Sequence, residues 1–304
     1  MAYTEVSLAD ASEVLGYTDL SDIISIQRLA GGWANSNYIL NLSDNNKFVL
    51  KVWNEQSVEE VEYLLNMTSY LAKNGVPTPE PIKFNNNKFF FIKNNMAWTI
   101  LPFIEGDWLK SNHSSLYSLG QIQANLHLIK PPVELKKEFS MGHKLFQKLF
   151  ILADEMDNWT DFLIMLKIES TKLNNLIVNL PKGIIHGDLF PDNVLGSNSE
   201  VISILDFEEI CHDILAFDLV MTFVGFGWEN NLPVSERWVS LLAGYESIRK
   251  LTEEEITALP YLHRLATLSI AAWRYWQFVI NMPDTDHTDR YLEMTNRLDK
   301  ELPF

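Results

Sequence analysis

The chain has 304 residues, 47% of them hydrophobic and 21% charged, which describes a globular protein long enough for two domains rather than a disordered or fibrous one. A formal net charge of −16 excludes nucleic acid and anionic membrane as partners, because both require a basic face. The single cysteine, Cys211, excludes an internal disulfide and fits a reducing, cytoplasmic compartment.

The N-terminal Met-Ala-Tyr-Thr-Glu-Val lacks the basic and apolar regions of a signal peptide. Residues 1–103 read mainly as strands and turns. Ile23–Leu29, Tyr38–Leu42 and Lys47–Trp53 are short β-branched or aromatic runs, with Ser43-Asp-Asn-Asn46 as a tight turn between the second and third. Leu29-Ala-Gly-Gly-Trp-Ala-Asn-Ser-Asn37 joins the first two strands. Taken alone it is an ordinary hairpin loop. Directly before the strand that carries Lys51, it can cover a nucleotide, with Gly31 and Gly32 turning the backbone and Asn35, Ser36 and Asn37 offering donors to phosphate oxygens. Lys51 alternates with apolar neighbours in Phe48-Val-Leu-Lys-Val52, and is expected to hold the α/β-phosphates.

A helix is predicted over about residues 57–73, opened by a Ser57/Glu60 capping box and carrying an apolar face of Val58, Val61, Leu65 and Leu71. Glu62 points with that face and needs a partner there, for which Lys51 is the natural cation. Val76-Pro-Thr-Pro-Glu-Pro81 stops the helix. The asparagine turns at Asn85–Asn87 and Asn94–Asn95 suggest two further strand pairs. The strand at 97–103 ends in Leu-Pro-Phe-Ile-Glu, placed to form a hinge that meets adenine through backbone groups at Phe103.

Beyond Pro102 the pattern becomes helical near 112–130, 142–180, 235–247 and 253–281, with only the pair within 184–206 extended. The longest apolar run, Ile214–Trp228, is interrupted by Asp218 and does not read as a membrane span. A β-rich first third followed by helices implies an α+β, bilobal protein. The expected division is an N-lobe over 1–103, a linker over 104–110 and a helical C-lobe over 111–304 with the chemistry in the cleft.

The most specific pattern is Gly183-Ile-Ile-His-Gly-Asp-Leu-Phe-Pro-Asp-Asn193 followed by Val201-Ile-Ser-Ile-Leu-Asp-Phe207. Two apolar runs each deliver an acidic residue to a strand end, Asp188 and Asp206, and Asn193 follows Asp188 by five positions. Phosphoryl transfer needs one carboxylate to orient and deprotonate a hydroxyl, here Asp188. It also needs oxygen ligands for Mg2+ against the phosphates of ATP, here Asn193 and Asp206. His186 is expected to hold the loop rather than to act as a base. Asp218 is expected to cap a helix and brace the loop, a structural role. Only eleven residues separate Asp206 from Asp218, which leaves no room for a peptide-docking activation segment, so the acceptor is a small hydroxylated molecule.

These residues resemble the aminoglycoside phosphotransferase and choline kinase superfamily, which has a protein-kinase-like fold. The resemblance implies Asp188 as base, Asn193 and Asp206 as magnesium ligands, and Lys51–Glu62 as the ion pair at the nucleotide. Trp33-Ala-Asn-Ser-Asn-Tyr-Ile-Leu40, Phe103-Ile-Glu-Gly-Asp-Trp-Leu109, Cys211-His-Asp-Ile-Leu-Ala-Phe-Asp218 and Gly244-Tyr-Glu-Ser-Ile-Arg-Lys-Leu-Thr-Glu254 are most similar to the homoserine kinases of that fold. The chain departs from them at Glu208-Glu209-Ile210, where aromatic and small residues are expected, and at Ser269 and Gln277, which stand in place of an arginine and an acidic residue. Acceptor contacts are expected from Glu208, His212, Trp228 and the 269–277 helix, with Trp273, Arg274 and Trp276. Homoserine is the favoured acceptor, by a monomer or homodimer. A choline or ethanolamine kinase with Trp273 and Trp276 in an aromatic box is the rival. An aminoglycoside phosphotransferase would suit the negative charge, and a pseudokinase-like binding protein would require loss of residues that are all intact.

Overall fold

The protein is represented by a computed structural model that describes residues 3–29, 35–177 and 179–304. The chain divides into two compact units, Met1–Gly106 and Asp107–Phe304, a boundary that falls inside the expected linker.

The first unit opens with α1 (Leu8–Leu15), which was not expected among strands. Its signal is Ser7-Leu-Ala-Asp10: the Ser7 hydroxyl accepts from the Asp10 N–H, and the Asp10 carboxylate accepts from the Ser7 N–H. The strands β1 (Ile23–Arg28), β2 (Ser36–Leu42) and β3 (Lys47–Val52) follow as expected. Next come α2 (Val58–Lys73), β4 (Phe91–Lys93) and β5 (Met96–Pro102). The antiparallel sheet has the order β1-β2-β3-β5-β4. Strict alternation in β2 buries Ser36, Tyr38, Leu40 and Leu42 on one face, where they meet Leu50, Val52, Trp98, Ile100 and the α1 residues Val14 and Leu15. Register pairs Lys51 with Asn37 on one side and Thr99 on the other. Lys51 therefore projects from the face opposite Leu50 and Val52.

Only one of the two expected asparagine hairpins forms. Asn94 and Asn95 both take positive φ, 53° and 59°, and connect β4 to β5. Around Asn87 the chain turns, with the Phe84 N–H donating to the Lys88 carbonyl at 2.8 Å, but no strand pair extends from it. Pro77, Pro79 and Pro81 lie just upstream, and proline cannot supply ladder hydrogen bonds.

The second unit carries β6 (Asp107–Trp108), α3 (His113–Leu128), α4 (Leu145–Glu155) and α5 (Asp161–Leu176). These are followed by β7 (Lys182–Ile185), β8 (Val194–Ser197), β9 (Glu200–Ile204), β10 (Cys211–Ile214) and α6 (Leu215–Phe226). The chain then forms α7 (Ser235–Glu246), α8 (Glu253–Tyr275) and α9 (Arg290–Thr295). The expected helix over 142–180 is two helices. Asp157 adopts φ 47° and Thr160 caps a new start, its hydroxyl accepting from the Leu163 N–H. A kinked π-turn over Ser140–Lys144, in which Gly142 leaves helical geometry (φ −89°, ψ −134°), precedes α4, and α8 ends in a π-turn at Trp276–Asn281. The apolar run Ile214–Trp228 is mostly α6, a helix buried almost all round. Among the described residues no helix is long and apolar enough to cross a membrane.

The two strands that lead into the acidic residues, β7 and β9, do not pair with one another. β7 pairs with β10, and β9 pairs with β8, which also holds β6. Each acidic strand end is thus anchored by a different ladder. Helices α3 and α7 cross at glycines: a Cβ on Gly120 would meet the Leu241 carbonyl oxygen at 2.2 Å, and one on Gly244 would meet that of Tyr117 at 1.9 Å. Backbone cannot yield as a side chain can. Gly244→Ala is expected to lower stability by about 2–4 kcal/mol in urea unfolding, whereas Gly75→Ala, with nothing within 4 Å of the added carbon but a φ of 88°, should lose only about 1 kcal/mol.

Candidate active site

In the second unit the loop after β7 runs from His186 to Asn193. Gly187 has φ 82°, and a Cβ there would stand 3.0–3.1 Å from Phe139 and Glu209, so the position demands glycine. The N–H groups of His186 and Gly187 donate to the two oxygens of Asp218, at 3.2 and 2.7 Å. Asp218 lies in the first turn of α6 and is fully buried, so it does not cap the helix but does hold the loop. Burial alone would raise its carboxyl, yet hydrogen bonds from His127 and Gln123 hold it below the ordinary carboxylate range. His186 is buried and burial lowers its affinity for a proton. Its Nε2–H donates to the Leu205 carbonyl at 2.9 Å, and its Nδ1 accepts the Asp188 N–H at 3.2 Å. With both nitrogens spent on backbone, it ties the Asp188 loop to the end of β9.

Asn193 donates from Nδ2 to the Asp188 carbonyl at 2.8 Å and to its carboxylate at 3.4 Å. These bonds leave Asn193 Oδ1 as a lone oxygen ligand. Burial, reinforced by the charges of Asp206, Asp192 and Glu209, pushes the Asp188 carboxyl up to about 8. Asp206 follows β9 with φ 61° and ψ 66°, a left-handed conformation uncommon for a residue with a side chain and concentrated at functional sites. Glu209 is also pushed up, first by burial, and takes a hydrogen bond from Ser140 of the π-turn. Crowded carboxylates of this kind suit a divalent cation. Among the described residues no group of three or more His, Cys, Asp or Glu side chains could hold a metal unaided. The donor set of one amide oxygen and one carboxylate fits a hard cation that takes its remaining ligands from phosphate and water.

In the first unit, Lys51 Nζ lies 3.9 Å from the centroid of the Trp53 ring. Glu62 makes its ion pair with Lys88 at 3.2 Å, not with Lys51. Val61, Leu64 and Leu65 take the inward face of α2, leaving Glu62 half-exposed on its flank within reach of the Asn87 turn. Gly31 and Gly32 lie outside the described residues. Ser36 is fully buried, and its hydroxyl accepts from the Thr4 N–H at 2.8 Å and from Asn54 at 2.9 Å. Asn35 accepts from the Asn54 N–H, and the Asn37 N–H donates to the Tyr3 hydroxyl at 2.8 Å. Thr4 and Asn54 thus engage the Ser36 hydroxyl, Asn54 the Asn35 side chain, and Tyr3 the Asn37 N–H, all groups expected near phosphate. Phe103 donates its N–H to the Lys47 carbonyl at 3.1 Å, so that donor is spent within the sheet.

The expected acceptor residues are dispersed. Trp228 is buried, stacked on His263 at 5.7 Å with the Arg297 guanidinium 4.8 Å from its ring. Arg274 pairs with Glu293 at 2.7 Å and donates to the Arg290 carbonyl, which docks α9 on α8. Trp273 meets Phe278 edge-on, and Lys148 Nζ stands 3.6 Å over Trp276. His212 sits in β10 opposite Ile184, and Glu208 lies in the short turn after Asp206. Residues that motif reading passed over are His127 and Gln123, which contact the Asp218 brace from α3.

The raised Asp188 carboxyl has a consequence for stability. Its folded value of about 8 exceeds the ordinary 3.8, so ionising it opposes folding progressively between those values and fully above the higher one. Asp188→Asn is therefore expected to raise the Tm of the ligand-free protein near pH 8.5 by roughly 2–6 °C, a partly screened effect. The gain should vanish near pH 4 in calorimetric scans.

The profile of the phosphotransferase enzyme family matches residues 25–251, which contain Lys51, Asp188, Asn193, Asp206 and Asp218. A homoserine kinase of Rhodopseudomonas palustris is 30% identical over 273 residues, covering 88% of this chain and 83% of that protein. One from Nitrobacter hamburgensis is 28% identical over 286 residues, covering 92% and 87%. Among solved structures, an amicoumacin kinase in complex with AMP-PNP, Ca2+ and Ami superposes with a TM-score of 0.73 at 15% identity, over 98% of this chain and 94% of that one. The family match takes in both strand-end aspartates and the buried brace behind them, and the chain belongs to the phosphotransferase enzyme family, as a small-molecule kinase with an alcohol group as acceptor.

Proposed function

We propose that the protein is an ATP- and Mg2+-dependent kinase that transfers the γ-phosphoryl group to the hydroxyl of homoserine. The observation that carries the chemistry is the placement of Asp188, held by Asn193 in a loop whose two preceding N–H groups are fixed by Asp218. Its carboxylate would accept the hydroxyl proton as the oxygen attacks phosphorus. Asn193 Oδ1 and the Asp206 carboxylate would hold Mg2+, which when bound would offset the charge of the nucleotide phosphates. Lys51, on the face of β3 opposite Leu50 and Val52, would orient the α/β-phosphates. Because the transition state of phosphoryl transfer is loose, most of the rate enhancement should come from positioning these groups.

The breadth of the likeness to homoserine kinases supports homoserine over the alternatives. The choline reading gains no support from its aromatic box, since Lys148 stands over Trp276 and Trp273 meets Phe278 edge-on.

Release of ADP across a panel of homoserine, choline, ethanolamine and aminoglycosides tests the acceptor. Turnover is expected with homoserine, and choline turnover without homoserine turnover would overturn the assignment. Asp188→Asn and Asp206→Ala should each reduce kcat by at least about 10³-fold while the far-UV CD spectrum is retained; undiminished turnover in either would sink the mechanism.

A further inference from the structure

The stretch Gly244–Glu254 stands out in the sequence and has no part in the chemistry described so far. In the structure it ends one continuous chain of buried polar groups. Arg249 donates from one terminal nitrogen to the Tyr245 hydroxyl at 3.1 Å, and from the other to both oxygens of Glu255 at 2.9 and 3.0 Å. The Tyr245 hydroxyl meets His127 Nδ1 at 2.7 Å, and His127 Nε2 meets Asp218 at 3.0 Å. Asp218 in turn accepts the N–H groups of His186 and Gly187, immediately before Asp188. Tyr245, Asp218 and Glu255 are all fully buried.

The donors and acceptors along this chain have one consistent direction. Burial keeps the Tyr245 phenol protonated, and its oxygen already accepts from Arg249, so its hydrogen must go to His127 Nδ1. His127 then carries its proton on Nε2 and donates it to Asp218. The opposite tautomer would leave the phenolic hydrogen without an acceptor and the Asp218 oxygen facing a lone pair. Arg249 is itself held by Glu255, whose carboxylate also accepts the Thr252 N–H at 2.9 Å in the capping box of α8. The close approach of α7 to α3 at Gly120 and Gly244 is what brings Tyr245 to His127.

We infer that Arg249 and Tyr245 are positioning residues for the catalytic base: they fix the tautomer of His127, which fixes Asp218 and through it the backbone that aims Asp188. Gln123 and the two loop amides remain on Asp218 when this chain is cut, so the loop should persist but lose its single orientation. Small displacements of a base are costly in rate, on the order of 10²-fold for 1 Å. The inference rests on Asp188 acting as the base.

Tyr245→Phe deletes one hydroxyl and keeps the ring. It is expected to lower kcat about 10-fold while leaving KM for nucleotide and acceptor within about twofold, because neither ligand touches Tyr245. In a His127→Asn background the same change should add nothing, since Tyr245 acts through His127. A kcat within twofold of the parent, or losses that multiply in the double variant, would overturn the inference. Hydrogen exchange followed by mass spectrometry gives a second readout that needs no acceptor. Amides of residues 183–193 should exchange about 10-fold faster in Tyr245→Phe, with those of β2 and β3 unchanged; unchanged exchange in 183–193 would be equally fatal. Should Tyr245→Phe not fold, Arg249→Lys must move both readouts in the same direction by about threefold, and parental behaviour in both refutes the role. If wild-type protein phosphorylates none of the acceptor panel, the acceptor assignment fails, and the exchange experiment still decides the positioning role.

Discussion

The carboxylate of Asp218 is fully buried in α6, and it holds the N–H groups of His186 and Gly187 together with Gln123 and His127. Removing a charge from water is expensive unless hydrogen bonds replace the hydration lost. Here four donors from β7's loop and α3 make the replacement, so the charge is tolerable only when loop, α3 and α6 occupy one arrangement. The same bonds fix the peptide before Asp188 at the positive φ that glycine alone accepts readily. Stability and geometry of the site are therefore coupled through one side chain.

Two aspartates a short distance apart in sequence end in opposite electrostatic states. Asp218 is held ionised by donors on both oxygens, whereas Asp188 is surrounded by burial and like charge with only a long contact from Asn193. Environment, not residue type, separates them: one braces the loop, and the other is suited to the role of base proposed for it. The acidic crowding around Asp188 opposes folding, and a cation with nucleotide phosphates would relieve it. Functional sites commonly carry such local destabilisation.

The fold and the loop chemistry were largely legible from residue patterns. Alternation marked β2 and β3, the Ser57/Glu60 box marked the start of α2, and the His-Gly-Asp-x-x-x-x-Asn spacing marked the loop. What local pattern could not supply was which of several neighbours a side chain would meet. Glu62 met Lys88 because the asparagine turn lies on its flank, and Arg274 met Glu293 because α9 folds back on α8. Trp228 and Trp276 found His263 and Lys148 from distant segments. A long polar or aromatic side chain has several partners within reach, and only the packing of other elements selects one.

Sequence alone thus marked most of the strands and helices, singled out Asp188, Asn193 and Asp206 as the candidate reactive set, and indicated the class of chemistry, phosphoryl transfer to an alcohol. These follow from local rules, in which spacing of a few residues dictates geometry. Tertiary structure alone decided that the two acidic strand ends hang on separate ladders, β7 with β10 and β9 with β8. It also decided that His127, Tyr245 and Arg249, far from Asp188 in the chain, stand behind it in one hydrogen-bonded line. Such long-range partners are invisible to local pattern because they exist only once α3, α6 and α7 pack, and their close approach rests on two glycines that carry no chemistry of their own.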